Sequence, residues 1–216
     1  MMRIFRFVVI AAAGLLASPV FAAGEAAPAA SQTAQLPPDA LVRNVTEEVL
    51  NMLRQNKERG AQKTTALVES TVLPHFNFEH MTALAVGREW RKASAAQKEK
   101  LVRQFHDLLL RTYANAVISY RDQKVRYKPF KMKPDETDVL VRTEILQPGA
   151  RSVQLDYSLE KTDGGWKVYD VMVAGVSLVV NYRASFSEEV RNGGIDGLIE
   201  SLANKNASLK KDQEKP

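Results

Sequence analysis

The chain contains no cysteine in 216 residues. No disulfide can brace it, and no thiolate can serve as nucleophile or metal ligand. Histidine is scarce, with only His75, His80 and His106 present. His75 and His80 stand five apart and do not share a helix face, and Glu79-His80 lacks the pattern of a zinc protease. No glycine-rich phosphate loop occurs. Gly164-Gly165 has turn composition and Gly193-Gly194 reads as a break between helices. Gly175-Val176-Ser177 begins like a nucleophile elbow, but Leu178-Val179 follows where the second glycine is needed, so Ser177 reads as an N-cap. Glu47-Glu48 and Glu188-Glu189 are sequence neighbours on solvated helix faces, not a facing acid/base pair. The expectation is no catalytic residue, no metal ligand set and no cofactor.

What is present begins at the N-terminus. Met1 to Phe7 is short and basic through Arg3 and Arg6, and Val8 to Leu16 is apolar. Ala17 to Ala23 is rich in small residues, and Val20-Phe21-Ala22 fits a signal-peptidase site. This is the build of a secretory signal peptide over 1–22. Its apolar run is too short to anchor in a bilayer core of ~30 Å, and no later run approaches the ~20 residues of a membrane helix. An exported chain of this kind is expected in a bacterial periplasm, where nucleotides and nucleic acid are scarce. The formal charge is +5, of which Arg3 and Arg6 supply two, leaving +3 after cleavage. The remaining Lys and Arg are mixed with Asp and Glu, so no nucleic-acid stripe is indicated.

Residues 23–38, rich in Ala, Pro, Gln and Ser, read as a disordered linker, and 205–216 as a flexible tail. One domain over 39–204 lies between them. Leu41, Val45, Val49 and Leu53 recur every four residues and predict a helix near 39–57. Further helices are predicted over 61–73 and 78–86, the latter capped by Asn77 and stopped by Gly87. A long helix over 95–120 opens with the capping box Ser94/Gln97 and carries a wide apolar stripe. The period then changes to two. Strands are expected from Val125, over Asp138 to Leu146, around Val153 to Leu159 and over Trp166 to Val173, the last apolar on both faces. Asp163-Gly164-Gly165 is a hairpin turn. Short connections imply an antiparallel meander. Helices near 177–191 and 195–204 close the chain. The class is α+β, with N-terminal helices and one long helix packed on a four- to five-stranded antiparallel sheet. The long helix is the expected cover of one sheet face. The abundant apolar surface suits a filled core or the wall of a cavity for a greasy ligand equally well.

Two segments carry a family resemblance. Pro74-His75-Phe76-Asn77-Phe78-Glu79-His80-Met81 with Ala85-Val86-Gly87-Arg88-Glu89-Trp90-Arg91-Lys92-Ala93-Ser94 is one. Gly175-Val176-Ser177-Leu178 with Asn181-Tyr182-Arg183 and Phe186 is the other. Together they resemble the MlaC family, the periplasmic phospholipid-binding component of the Mla pathway, also called the toluene-tolerance family. The resemblance covers roughly 40–204. It implies a cone like that of nuclear transport factors with a helical lobe. It also implies a soluble carrier that shuttles phospholipid between an outer-membrane lipoprotein complex and an inner-membrane ABC transporter, maintaining outer-membrane lipid asymmetry.

On that reading, acyl chains lie between the long helix and the sheet. Phe105, Leu109, Tyr113 and Val117 face them from the helix. Leu155, Tyr157, Val171, Val173, Val176 and Leu178 face them from the sheet and its exit. Trp90 reads as a loop anchor, and Arg88 and Arg183 as either internal salt-bridge partners or contacts to a lipid phosphate. Two alternatives compete with the carrier: a periplasmic enzyme on a lipid or cell-wall substrate, and an adapter that binds only proteins. The exported chain is predicted to start at Ala23 or within a residue or two of it, as N-terminal sequencing would show. A start at Met1 on exported protein would identify an anchor instead.

Overall fold

Alternating side chains in the second half of the chain build one antiparallel meander of order β1-β2-β3-β4-β5. A computed structural model describes residues 36–55, 66, 69–119, 122–147, 149 and 151–213. The signal peptide, most of the linker and most of the helix expected over 61–73 lie outside the described residues. The strands are β1 (Lys124–Tyr127), β2 (Asp138–Leu146), β3 (Val153–Thr162), β4 (Gly165–Val173) and β5 (Val176–Ser177). Register places Val139 opposite Leu159, Val141 opposite Tyr157 and Thr143 opposite Leu155, all on one face. The two faces of β4 differ less than a period of two requires because of a β-bulge. Ser158 pairs with Asp170 but Leu159 pairs with Val168, so Tyr169 is the extra residue. The bulge resets the alternation, and Trp166, Val168, Val171 and Val173 all join the apolar face.

Helix α1 (Pro38–Gln55) starts on a proline, whose fixed φ suits a first turn. Its buried stripe is Leu41, Val42, Val49 and Leu53. Leu41 and Val42 form one core cluster with Val139, Val141, Leu159, Trp166 and Val168. The near cover of the sheet is therefore α1, at one end of the apolar face. Short helix α2 (Phe78–Val86) is capped as expected. Asn77 Oδ1 accepts from the His80 amide at 3.0 Å, and Gly87 ends the helix at φ +69°. Just before it, Phe76 bridges to Val168 and the Asn77 amide donates to the Val168 carbonyl at 2.8 Å, tying the helices to β4.

Long helix α3 (Ala95–Ser119) opens with the reciprocal capping box. The Gln97 amide donates to Ser94 Oγ at 3.2 Å and the Ser94 amide to Gln97 Oε1 at 3.0 Å. Its first half packs away from the sheet. Leu101, Phe105 and Leu108 join Met81, Ala85, Val179, Phe186, Leu198 and Leu202 in a helical core. That core consumes most of the wide stripe, which is why α3 approaches the sheet by its second half.

Helix α4 (Leu178–Gln213) is broken at Gly194, where φ is +66° and ψ is −168°, at the break read from Gly193-Gly194. The Val180 amide donates to Ser177 Oγ at 2.9 Å, so Ser177 is the N-cap. The flexible tail expected over 205–216 needs correction, because helix continues to Gln213. Asn206 is buried, and its Nδ2 donates to the Gln104 carbonyl at 2.9 Å and to Gln104 Oε1 at 2.8 Å. A polar composition misleads here because one asparagine satisfies a neighbouring helix. Asn206→Ala is predicted to lower stability by about 1–2 kcal/mol, measured by urea denaturation; a frayed tail would give no change.

Candidate functional site

The apolar face of the sheet is covered unevenly. At the α1 end Leu159, Val139 and Val168 are buried, with Leu159 at 0% exposure. At the other end Val153, Leu155, Tyr157 and Val173 point the same way yet stay half-buried. They border a cavity of about 600 Å³, within the ~300–1,000 Å³ typical of small-molecule sites.

Each neighbouring element gives it a wall. From α1 come Leu41, Val42, Val45 and Val49, and from the stretch before α2 come Val72, Leu73 and Phe76. The second half of α3 adds Leu109, Leu110, Tyr113 and Ala116. The sheet contributes Ile145, Val153, Leu155, Tyr157, Val171 and Val173. Val176, Leu178 and Asn181 stand where β5 passes into α4. The turn between β4 and β5 has φ of +51° at Ala174 and +84° at Gly175, the signature of a two-residue hairpin turn whose twist matches its strands. It pairs Val173 with Val176 at the rim, where Val176 is 57% exposed.

Polar groups are few in this lining. Among the described residues, Glu69 is the acidic lining residue, and neither lysine nor arginine lines the cavity. Burial pushes the Tyr157 hydroxyl up to about 12, against the neighbouring Thr143 and Thr46 hydroxyls that lower it. It stays neutral at any ordinary pH. Burial also lowers His75, assisted by the Lys167 ammonium and opposed by Glu48, so its imidazole is uncharged at neutral pH. The other histidines serve the fold. His80 Nδ1 lies 2.9 Å from Glu160 Oε1 with its ring stacked on Tyr169, and His106 packs edge-on against Phe78. The arrangement can enclose an apolar body; among the described lining residues no nucleophile is paired to a base.

Eight of the ten residues expected from the sequence line this one cavity: Leu109, Tyr113, Leu155, Tyr157, Val171, Val173, Val176 and Leu178. Phe105 does not. Its ring is fully buried in the helical core, edge-on to Tyr182 and Phe186 at 5.2 Å each. One turn of α3 separates it from Leu109, and the passage from core to cavity falls within that turn. Val117 belongs to α3, but its side chain lies outside those described. The α1 wall was missed, although its four-residue spacing was visible, because nothing in that spacing says which element the stripe faces. Trp90 packs against the helical core with the Lys98 ammonium 5.3 Å from its ring centre. Arg183 Nε donates to the Leu84 carbonyl at 3.1 Å. Neither Arg88 nor Arg183 lines the cavity.

An α+β domain whose sheet holds an apolar cavity, with no lysine or arginine among its described lining residues, defines a class of proteins built to enclose a greasy ligand. Within that class the chain belongs to the MlaC family, whose model, described as MlaC protein, matches residues 43–204. It is 27% identical over 175 residues to the intermembrane phospholipid transport system binding protein MlaC of Haemophilus influenzae, covering 78% of this chain and 82% of that one. It is 26% identical over 189 residues to the toluene tolerance protein ttg2D of Pseudomonas putida, covering 85% and 87%. Among solved structures, it matches a phospholipid-binding protein from Ralstonia solanacearum, determined in complex with a phospholipid. The match has a TM-score of 0.75 and 35% identity, covering 81% of this chain and 99% of that one.

The uneven cover of the sheet makes a paired prediction. Val173→Phe adds bulk into open space and should leave stability unchanged or raised, whereas Leu159→Phe overpacks the filled end and should cost about 1–3 kcal/mol. Chemical denaturation of the two ligand-free variants checks this; equal destabilisation would mean that the cavity is closed in solution.

Proposed function

We propose that the protein is a soluble phospholipid carrier of an intermembrane transport system, working in the periplasm and not as an enzyme. The observation that carries this reading is the apolar cavity of about 600 Å³. It lies in a chain 35% identical to a protein solved with a phospholipid bound. The family, whose members include a binding protein of intermembrane phospholipid transport, supports it. The N-terminal pattern of basic, apolar and small residues supports export. An outer-membrane lipoprotein complex and an inner-membrane ABC transporter are the proposed donor and acceptor, with no nucleic-acid partner.

The energetics suit a carrier. Each buried methylene is worth about 0.8 kcal/mol against water. A diacyl lipid with ~30 methylenes thus gains roughly 24 kcal/mol on leaving water for an apolar environment, by the same scale. A bilayer provides the same, so the cavity need only match the membrane for transfer in either direction to be nearly level. Leu109, Tyr113, Leu155, Tyr157, Val171, Val173, Val176 and Leu178 are the proposed acyl contacts, joined by Leu41, Val45 and Val49 of α1. The head group, hydrated in the membrane as well, stays at the rim beside Asn181.

Native mass spectrometry of gently purified protein is expected to show one diacyl phospholipid per chain, with little head-group preference. Val173→Phe should lower that occupancy while the protein stays folded. A ligand-free mass under gentle conditions would overturn the carrier reading.

A further inference from the structure

A second concavity shares no lining residue with the cavity. It is a groove of about 640 Å³ between the 3-10 turn Gly87–Lys92 and the first half of α4. Arg88 enters from the turn. Arg183, Ser187 and Arg191 enter from α4 at steps of four, along one helix side. Val86 and Val190 add apolar wall. Glu89 is the acidic group of the lining, and its Oε1 already accepts from Lys92 Nζ at 2.9 Å. Arg183 spends its Nε on the Leu84 carbonyl at the end of α2. Gly87, at φ +69°, permits the turn beside it. Arg88 and Arg191 are exposed and make no hydrogen bond or ion pair with the described residues. Three guanidinium groups thus converge on a concavity whose own carboxylate is occupied.

We propose that this groove docks an acidic segment of a partner protein, whose carboxylates are gripped by Arg88, Arg183 and Arg191. A guanidinium fork matches a carboxylate through two parallel hydrogen bonds. The volume equals roughly twenty waters at ~30 Å³ each, far more than one inorganic oxyanion fills. A concave site cannot meet a flat bilayer, whereas a projecting chain can enter it. Val190, half-buried, would meet the apolar parts of such a chain. The site is independent of the carrier reading.

The test uses the mature chain and a fluorescein-labelled hexaglutamate peptide, followed by fluorescence anisotropy at low ionic strength. The Arg88→Gln/Arg191→Gln double variant keeps Arg183 and its cap on α2. It should bind the peptide about tenfold more weakly or worse, with phospholipid content and melting temperature unchanged. A Lys131→Gln/Lys133→Gln control removes equal charge between β1 and β2 and should change affinity less than about twofold. If the first variant melts early, Arg88→Lys/Arg191→Lys, which keeps charge but loses the fork, should still weaken binding. No peptide binding, or equal weakening in the control, overturns the proposal. So does stronger displacement by inorganic phosphate or phosphatidylglycerol vesicles than by unlabelled peptide.

Discussion

The cavity depends on a mismatch of length. The apolar face of the sheet runs from Trp166 and Leu159 at one end to Val153 and Val173 at the other. The part of α1 that carries Leu41 and Val42 fills its core against the first of these. The remainder is roofed by α1, the second half of α3 and the start of α4, at a distance that side chains do not close. Apolar surface left without contact would normally collapse or be filled. Here the roof is held off by a helical core around Leu101, Phe105, Phe186 and Leu198, which fixes α3 against α2 and α4. The helical core and the sheet core keep a space between them.

The bulge at Ser158/Leu159 makes the face continuous. With strict alternation, either Val168 or the pair Val171 and Val173 would point to the other side of the sheet. The one extra residue, Tyr169, brings all three to the cavity side. On the opposite side Tyr169 finds polar company, its hydroxyl donating to Asp138 Oδ1 at 3.1 Å.

Much of this was legible in the sequence because it rests on local chemistry. The Ser94/Gln97 box, the Asn77 cap, the Gly87 stop, the Asp163-Gly164 turn and the break at Gly194 are signals written within a few residues. The inward residues of β3 and β4 were legible too, since alternation in a meander determines them once a face is chosen. What was not legible depends on partners distant in sequence. The wide stripe of α3 could serve the sheet or the helices, and Phe105 went to the helices. Asn206 looks like tail composition until Gln104 is placed beside it. The apolar pattern of β4 hides a bulge, which has no composition of its own.

Helix α1 closes one side of the cavity from the far end of the chain. Leu41 must find Val139 and Leu159 across about a hundred residues, whereas β2, β3 and β4 meet through short hairpins. Loop closure on that scale carries an entropic cost that the short hairpins do not. Among the described residues no main-chain hydrogen bond joins α1 to the sheet. Its attachment is an apolar stripe with a few side-chain contacts, such as the Arg43 guanidinium 4.1 Å from the Tyr127 ring centre. A wall held to the sheet by side chains alone is one that can lift without breaking a strand ladder. In hydrogen exchange such a wall opens as its own unit, taking Leu41 and Val42 from the sheet core and exposing the interior while the strand ladder and the helical core remain folded.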